Sequence, residues 1–121
     1  MTKMESKVLE ERIIEILDDI KAKRIESINI ENITIIADYF IICSGTSTTH
    51  NRGIADEIME KLNKEGLHCT HVEGYETARW ILLDYLDVVI HIFHEEDREF
   101  YNLERLWKEG KFANVRPEIL K

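Results

Sequence analysis

Trp80-Ile81-Leu82-Leu83-Asp84-Tyr85-Leu86-Asp87-Val88-Val89-Ile90-His91-Ile92-Phe93-His94 is the stretch on which the architecture turns. Residues 80–83 and 88–93 are apolar and rich in β-branched and aromatic side chains, and only Asp84-Tyr85-Leu86-Asp87 separates them. Two such runs around a short polar break predict an antiparallel hairpin. Both strands are apolar on both sides: Trp80 and Leu82 point one way and Ile81 and Leu83 the other, while Val88, Ile90 and Ile92 oppose Val89 and Phe93. A sheet of that kind has to be covered on two faces. Either helices cover it, or an apolar patch remains for a partner.

Working outward, residues 4–23 place Val8, Leu9, Ile13, Ile14, Ile16, Leu17 and Ile20 at near-helical spacing, which predicts an amphipathic helix. Strands are predicted near 25–30 and 38–44, the second apolar on both sides. At Gly45-Thr46-Ser47-Thr48-Thr49 the period switches, with Ser47 or Thr48 as N-cap of a helix carrying Ile54, Ala55, Ile58, Met59 and Leu62 on one face. Gly66 stands where that helix should stop. A third strand is predicted over 67–72, then a turn at Glu73-Gly74-Tyr75-Glu76, and after the hairpin a helix over 96–108 with Phe100, Leu103, Leu106 and Trp107 on one side. Pro117 ends regular structure in the tail. The order helix, strand, strand, helix, three strands, helix predicts an α/β layer architecture with a mixed sheet. The second and third strands, joined through a helix, are expected to run parallel by a right-handed crossover.

The chain has 121 residues, which suits a single domain over 1–121, with a core of about 5–108 and a short tail. Sixteen Lys and Arg against 24 Asp and Glu give a net charge of −8. That balance argues against gripping free nucleic acid over a broad face or docking on anionic membrane, and it suits a basic protein partner. No apolar stretch approaches the roughly 18–20 residues of a membrane span. The N-terminal residues carry no apolar signal region. Cys43 and Cys69 are too few for a disulfide scaffold and read as reduced, partly buried thiols. A cytoplasmic setting is expected.

Several groups contain chemistry-bearing residues. His68-Cys69-Thr70-His71 and His91-Ile92-Phe93-His94 hold metal-ligand types, but adjacent His68 and Cys69 would face opposite sides of a strand, so no metal is expected. Ser44-Gly45-Thr46-Ser47-Thr48 is a strand-to-helix turn that could face a phosphate, yet it lacks the lysine and further glycines of nucleotide loops and reads as a capped helix start. Neither cysteine has a base and orienting residue placed by the sequence, so no thiol nucleophile is expected. Asp84 and Asp87 flank the hairpin turn and Glu73 lies in the preceding one. They read as a solvated turn, or as an acidic rim beside Trp80, Leu83 and Tyr85 that selects a basic partner. Paired acids could also hold Mg²⁺ or transfer protons, although three residues across a turn is a poor spacing for that.

The chain resembles the ribosomal silencing factor, or Iojap, family. The residues that carry the resemblance are Ala37-Asp38-Tyr39-Phe40-Ile41-Ile42, Ser44-Gly45-Thr46-Ser47, Val72-Glu73-Gly74-Tyr75, the stretches 80–85 and 87–94, and Phe100-Tyr101-Asn102-Leu103-Glu104-Arg105-Leu106-Trp107. The resemblance spans roughly residues 5–108. It implies a five-stranded mixed sheet with helices, related to nucleotidyltransferases but without their catalysis, and therefore no enzyme and no cofactor. It further implies binding to the large ribosomal subunit through its ribosomal protein number fourteen, which sterically blocks joining of the small subunit and lowers translation when nutrients are scarce. On that reading Trp80, Leu82, Leu83 and Tyr85 are the expected anchors, and Glu73, Asp84 and Asp87 the expected partners of Lys or Arg. Two other readings stand beside it: a nucleotidyltransferase-like nucleotide-binding protein, resting on Ser44-Gly45 and the acids, and a homodimer formed through an apolar sheet face. The chain departs from the family pattern at Leu86, where glycine is usual, and at Glu95, where proline is usual. Leucine disfavours the positive φ that glycine permits, so at Leu86 either the turn differs or an exposed apolar contact is added.

Overall fold

The computed structural model describes residues 3–32 and 37–101. Helix α1 (Lys3–Asp19) is followed by β1 (Lys23–Asn29), β2 (Tyr39–Gly45), α2 (Thr48–Lys64), β3 (His71–Glu73), β4 (Trp80–Asp84), β5 (Val88–His94) and α3 (Glu95–Tyr101). The strands form a mixed five-stranded sheet in the order β1-β2-β5-β4-β3. The predicted hairpin is present: β4 and β5 pair antiparallel, from Trp80 opposite Phe93 to Asp84 opposite Val89. The parallel pair is β2 with β5. Strand β3 runs in the same direction as β2, as expected, but β5 and β4 lie between them.

Both faces of the sheet are buried. On one face Ile41, Cys43, Ile81, Leu83, Val88, Ile90 and Ile92 meet Leu9, Ile13, Ile16 and Leu17 of α1 and Ile54, Ala55, Ile58 and Leu62 of α2. On the other, Phe40, Ile42, Trp80, Leu82, Val89 and Phe93 pack with Ile30 and Ala37. Arg98 of α3 is buried and donates from Nη1 to Ser44 Oγ on this second face at 3.0 Å. Among the described residues the large hydrophobic side chains that remain exposed are Val8, Val72 and Leu86.

The element ends differ from the prediction at three places, for local reasons. Helix α1 stops four residues before the predicted limit of 23. Lys21 N donates to Asp18 O and Ala22 N to Leu17 O, closing a Schellman motif with Lys21 at φ +60°. Helix α2 ends the same way, with Gly66 N on Asn63 O, Leu67 N on Leu62 O and Gly66 at φ +84°. The glycine signalled that stop, whereas a lysine in the same role sends no signal. Replacing Lys21 with glycine is expected to stabilise the protein by about 1 kcal/mol, because a side chain in the left-handed region costs roughly that much. A thermal melt should show it as a rise in Tm of about 2–5 °C.

Strand β3 is three residues, not the predicted 67–72. Its partner ends at Asp84, opposite His71, and Thr70 takes the Asp84 carbonyl with its N–H at 2.8 Å and its hydroxyl at 2.9 Å. Residues 67–70 lie past the end of the ladder. Strand β1 begins earlier than predicted, with a register shift between Lys23 and Glu26 where Arg24 adopts φ +50°. Such a bulge suits an edge strand, which it bends out of regular pairing. Helix α3 opens with Glu95, Glu96 and Asp97 in its first turn, where negative charge complements the helix dipole. Leu103, Leu106, Trp107 and the tail after Gly110 lie outside the described residues.

Candidate functional site

Alternation along β4 puts Trp80, Leu82 and Asp84 on the sheet face turned away from α1 and α2. Pairing with β3 sets Glu73 opposite Leu82 and His71 opposite Asp84 on that same face. Four of the seven expected contact residues, Trp80, Leu82, Asp84 and Glu73, thereby share one face, with Asp84 at the hairpin-turn end of β4 and Trp80 at its far end. Leu83 and Tyr85 belong to the opposite core, under the helices. Asp87 sits in the turn beyond Asp84.

The four apolar members of the expected surface do not face outward. Trp80 is 4% exposed, Leu82 2%, Leu83 0% and Tyr85 4%. The reason is the one that makes the strands apolar on both sides: each face is covered, so the side chains that were expected as anchors are core. Trp80 stacks on Phe93 with ring centroids 4.9 Å apart, and its Nε1 donates to His91 Nδ1 at 3.0 Å. His91 is fully buried and meets Phe40 edge to face at 5.2 Å. Because Nδ1 accepts from the indole, a neutral His91 carries its proton on Nε2. His91 was not singled out as a partner of Trp80. Its position diagonal to Trp80 across the hairpin was the available signal. Burial pushes the Tyr85 phenol well above its usual range, with nearby Cys69 adding to the effect.

The accessible part of this region is the β4–β5 turn. Leu86 stands 63% exposed at φ +70°. The turn therefore keeps the positive φ that glycine would favour, and the leucine is an exposed apolar side chain as well. Asp84 Oδ1 accepts from Leu86 N at 2.8 Å, and Tyr85 N donates to Val88 O at 2.9 Å. The Asp87 carbonyl accepts from Asp38 N at 2.8 Å and Tyr39 N at 3.1 Å, which braces the turn on the start of β2. Asp84 and Asp87 are both partly exposed on either side of Leu86. Glu73 is buried, with Oε2 2.8 Å from His71 Nε2.

At the opposite end of the parallel strands, the Ser44–Ser47 turn is a capped helix start. Ser47 Oγ accepts from His50 N at 3.0 Å, Thr46 N donates to His50 Nδ1 at 3.0 Å, and Ser44 Oγ is taken by Arg98. Asn51, buried in the first turn of α2, donates from Nδ2 to Ala78 O at 2.7 Å, with Ala78 at φ +58°. A Cβ on Gly45 would lie 2.1 Å from Asn51 Oδ1, so a glycine is required beneath this amide. The 74–79 loop is further tied to α2 by Tyr75 OH on Asp56, at 2.9 Å to Oδ1, and by Arg52 Nη1 on Glu76 O at 2.9 Å. The role of Asn51 was missed, because a single polar residue between helical apolar positions carries no mark of its distant partner.

Burial pushes the Cys43 thiol up to about 12, and the half-buried Cys69 thiol is also raised, chiefly by burial. Thiols held in that way are poor nucleophiles at neutral pH. Among the described residues no group of three or more His, Cys, Asp or Glu is placed to hold a metal ion, and no helix is long and apolar enough to cross a membrane.

The model of the family described as "Ribosomal silencing factor during starvation" matches residues 3–120. The chain is 40% identical over 104 residues to the ribosomal silencing factor of Halalkalibacterium halodurans, covering 86% of this chain and 89% of that protein. It is 41% identical over 98 residues to that of Bacillus subtilis, covering 81% and 83%. A crystal structure of a Chromobacterium violaceum protein superposes with a TM-score of 0.80 at 31% identity, covering 89% of this chain and 88% of that one.

Proposed function

The chain belongs to the ribosomal silencing factor family, and from that premise we propose that it binds the large ribosomal subunit and acts there by occupancy rather than by chemistry. In this reading the contact is with ribosomal protein number fourteen, the small subunit is sterically kept from joining, and translation falls when nutrients are limiting. The setting is the cytoplasm. The observation that carries the reading is the family match over nearly the whole chain, residues 3–120. The partly exposed carboxylates of Asp84 and Asp87 support it, since they suit a basic protein surface and would repel the phosphates of surrounding RNA. The docking surface we propose is the outer end of the β4–β5 hairpin, with Leu82, Leu83 and Tyr85 packed behind it, Trp80 in the core at the far end of β4, and Glu73 stiffening its β3 flank.

The test is co-sedimentation of the purified protein with isolated large subunits, with and without small subunits. The protein should travel with the large subunit, and joined ribosomes should decline as it is added. Reversing the charge at Asp87 to lysine should weaken co-sedimentation on the order of tenfold and flatten its salt dependence, because a rim charge acts through steering and pairing. In the turn's hydrogen bonds Asp87 takes part through its backbone, so the variant is expected to fold normally. A folded wild-type protein that stays at the top of the gradient would refute the reading.

A further inference from the structure

We propose that Leu86 is the apolar anchor of the docking surface, inserted into an apolar socket flanked by Lys or Arg on a basic protein. The proposal rests on the ribosome-binding reading and deepens it by naming the contact. Leu86 combines two locally unfavourable features: a branched side chain at φ +70° and an apolar side chain 63% exposed to water. It belongs to neither buried cluster, so its side chain is no part of the core. Glycine would satisfy the backbone without either cost. An outlier of this kind, in a turn that the surrounding structure holds rigidly, points to a role outside the fold. The rigidity is supplied by Asp84 Oδ1 on Leu86 N and by Asp38 and Tyr39 N–H groups on the Asp87 carbonyl. A preordered anchor loses little freedom on binding.

The flanking charges decide the occupant. Asp84 and Asp87 stand on either side of the leucine, so a phosphate-rich RNA surface is repelled. A second copy of this chain docking tip to tip would set these carboxylates against their own equivalents. A protein surface presenting Lys or Arg around an apolar depression matches both the charge and the knob.

The experiment compares wild type, Leu86→Gly and Leu86→Met by thermal melting and by titrated co-sedimentation with large subunits. Leu86→Gly should raise Tm, because the backbone relaxes, while binding weakens about tenfold through loss of the buried side chain. Leu86→Met keeps the apolar bulk and should bind within about twofold of wild type. A purely structural residue would move the melt alone. Wild-type binding with undiminished Leu86→Gly binding overturns the role of Leu86 and leaves the ribosome reading standing. Wild type that fails to bind overturns the ribosome reading and this proposal with it.

Discussion

Trp80→Ala is expected to lower the free energy of unfolding by about 3–5 kcal/mol, the range for removing a large aromatic from a packed core. The indole is 4% exposed, stacks on Phe93 at 4.9 Å and donates to His91 Nδ1 at 3.0 Å. Truncation leaves a cavity in the second core and strips a buried acceptor of its donor, and the second effect adds to the first. Domains of this size are stable by about 5–15 kcal/mol, so roughly a fifth or more of the total would be lost. Urea denaturation should show a lower midpoint with an unchanged slope. The consequence for function is direct. Loss of ribosome binding in this variant would not assign Trp80 to the contact surface, because the second core that supports the sheet would be damaged as well. Trp80→Phe, which keeps the stacking and loses the N–H, should cost much less. A drop below about 1 kcal/mol for the alanine variant would mean that the indole is not the core element described above.

Gly45→Ala is the second large effect, expected at about 3 kcal/mol from overpacking and a broken buried hydrogen bond together. The new methyl group would sit 2.1 Å from Asn51 Oδ1. Asn51 cannot swing aside freely, because it is fully buried and its Nδ2 holds Ala78 O at 2.7 Å. Yielding to the methyl would break that bond and remove the buried one of the ties between the 74–79 loop and α2. A double-mutant cycle tests the cause. Asn51→Ala alone should cost about 1–3 kcal/mol, and adding Gly45→Ala to it should cost little more, because the obstacle is gone. If the two changes add to within about 0.5 kcal/mol, the clash is not the reason that glycine stands there.

These two sites differ in how far they could be read in advance. Trp80 was recognisable as important, but its role was not. An apolar strand looks the same in sequence whether its second face meets a helix of its own chain or a partner, since the hydrophobic pattern records only that water is excluded. Coverage is a tertiary property. For the same reason Leu83 and Tyr85 fall in the helix-covered core while Leu82 and Trp80 fall in the other, and neither pair forms the outer surface. Leu86 was legible only as a departure from glycine; the structure decides that the turn retains its positive φ and carries the leucine outward.

What the sequence determined by itself is local. The short break between two β-prone runs specifies the hairpin, the Ser47 side chain caps α2, Gly66 closes it, and the order of elements specifies a mixed α/β sheet. Each rests on interactions within a few residues, where side-chain chemistry and backbone preference act directly. The tertiary structure decided the rest: the pairing of β2 with β5, the three-residue length of β3 set by where β4 ends, and the Asn51–Gly45 fit. These depend on contacts between distant segments, whose energies outweigh local propensity once the chain is folded and which leave no periodic trace in the sequence.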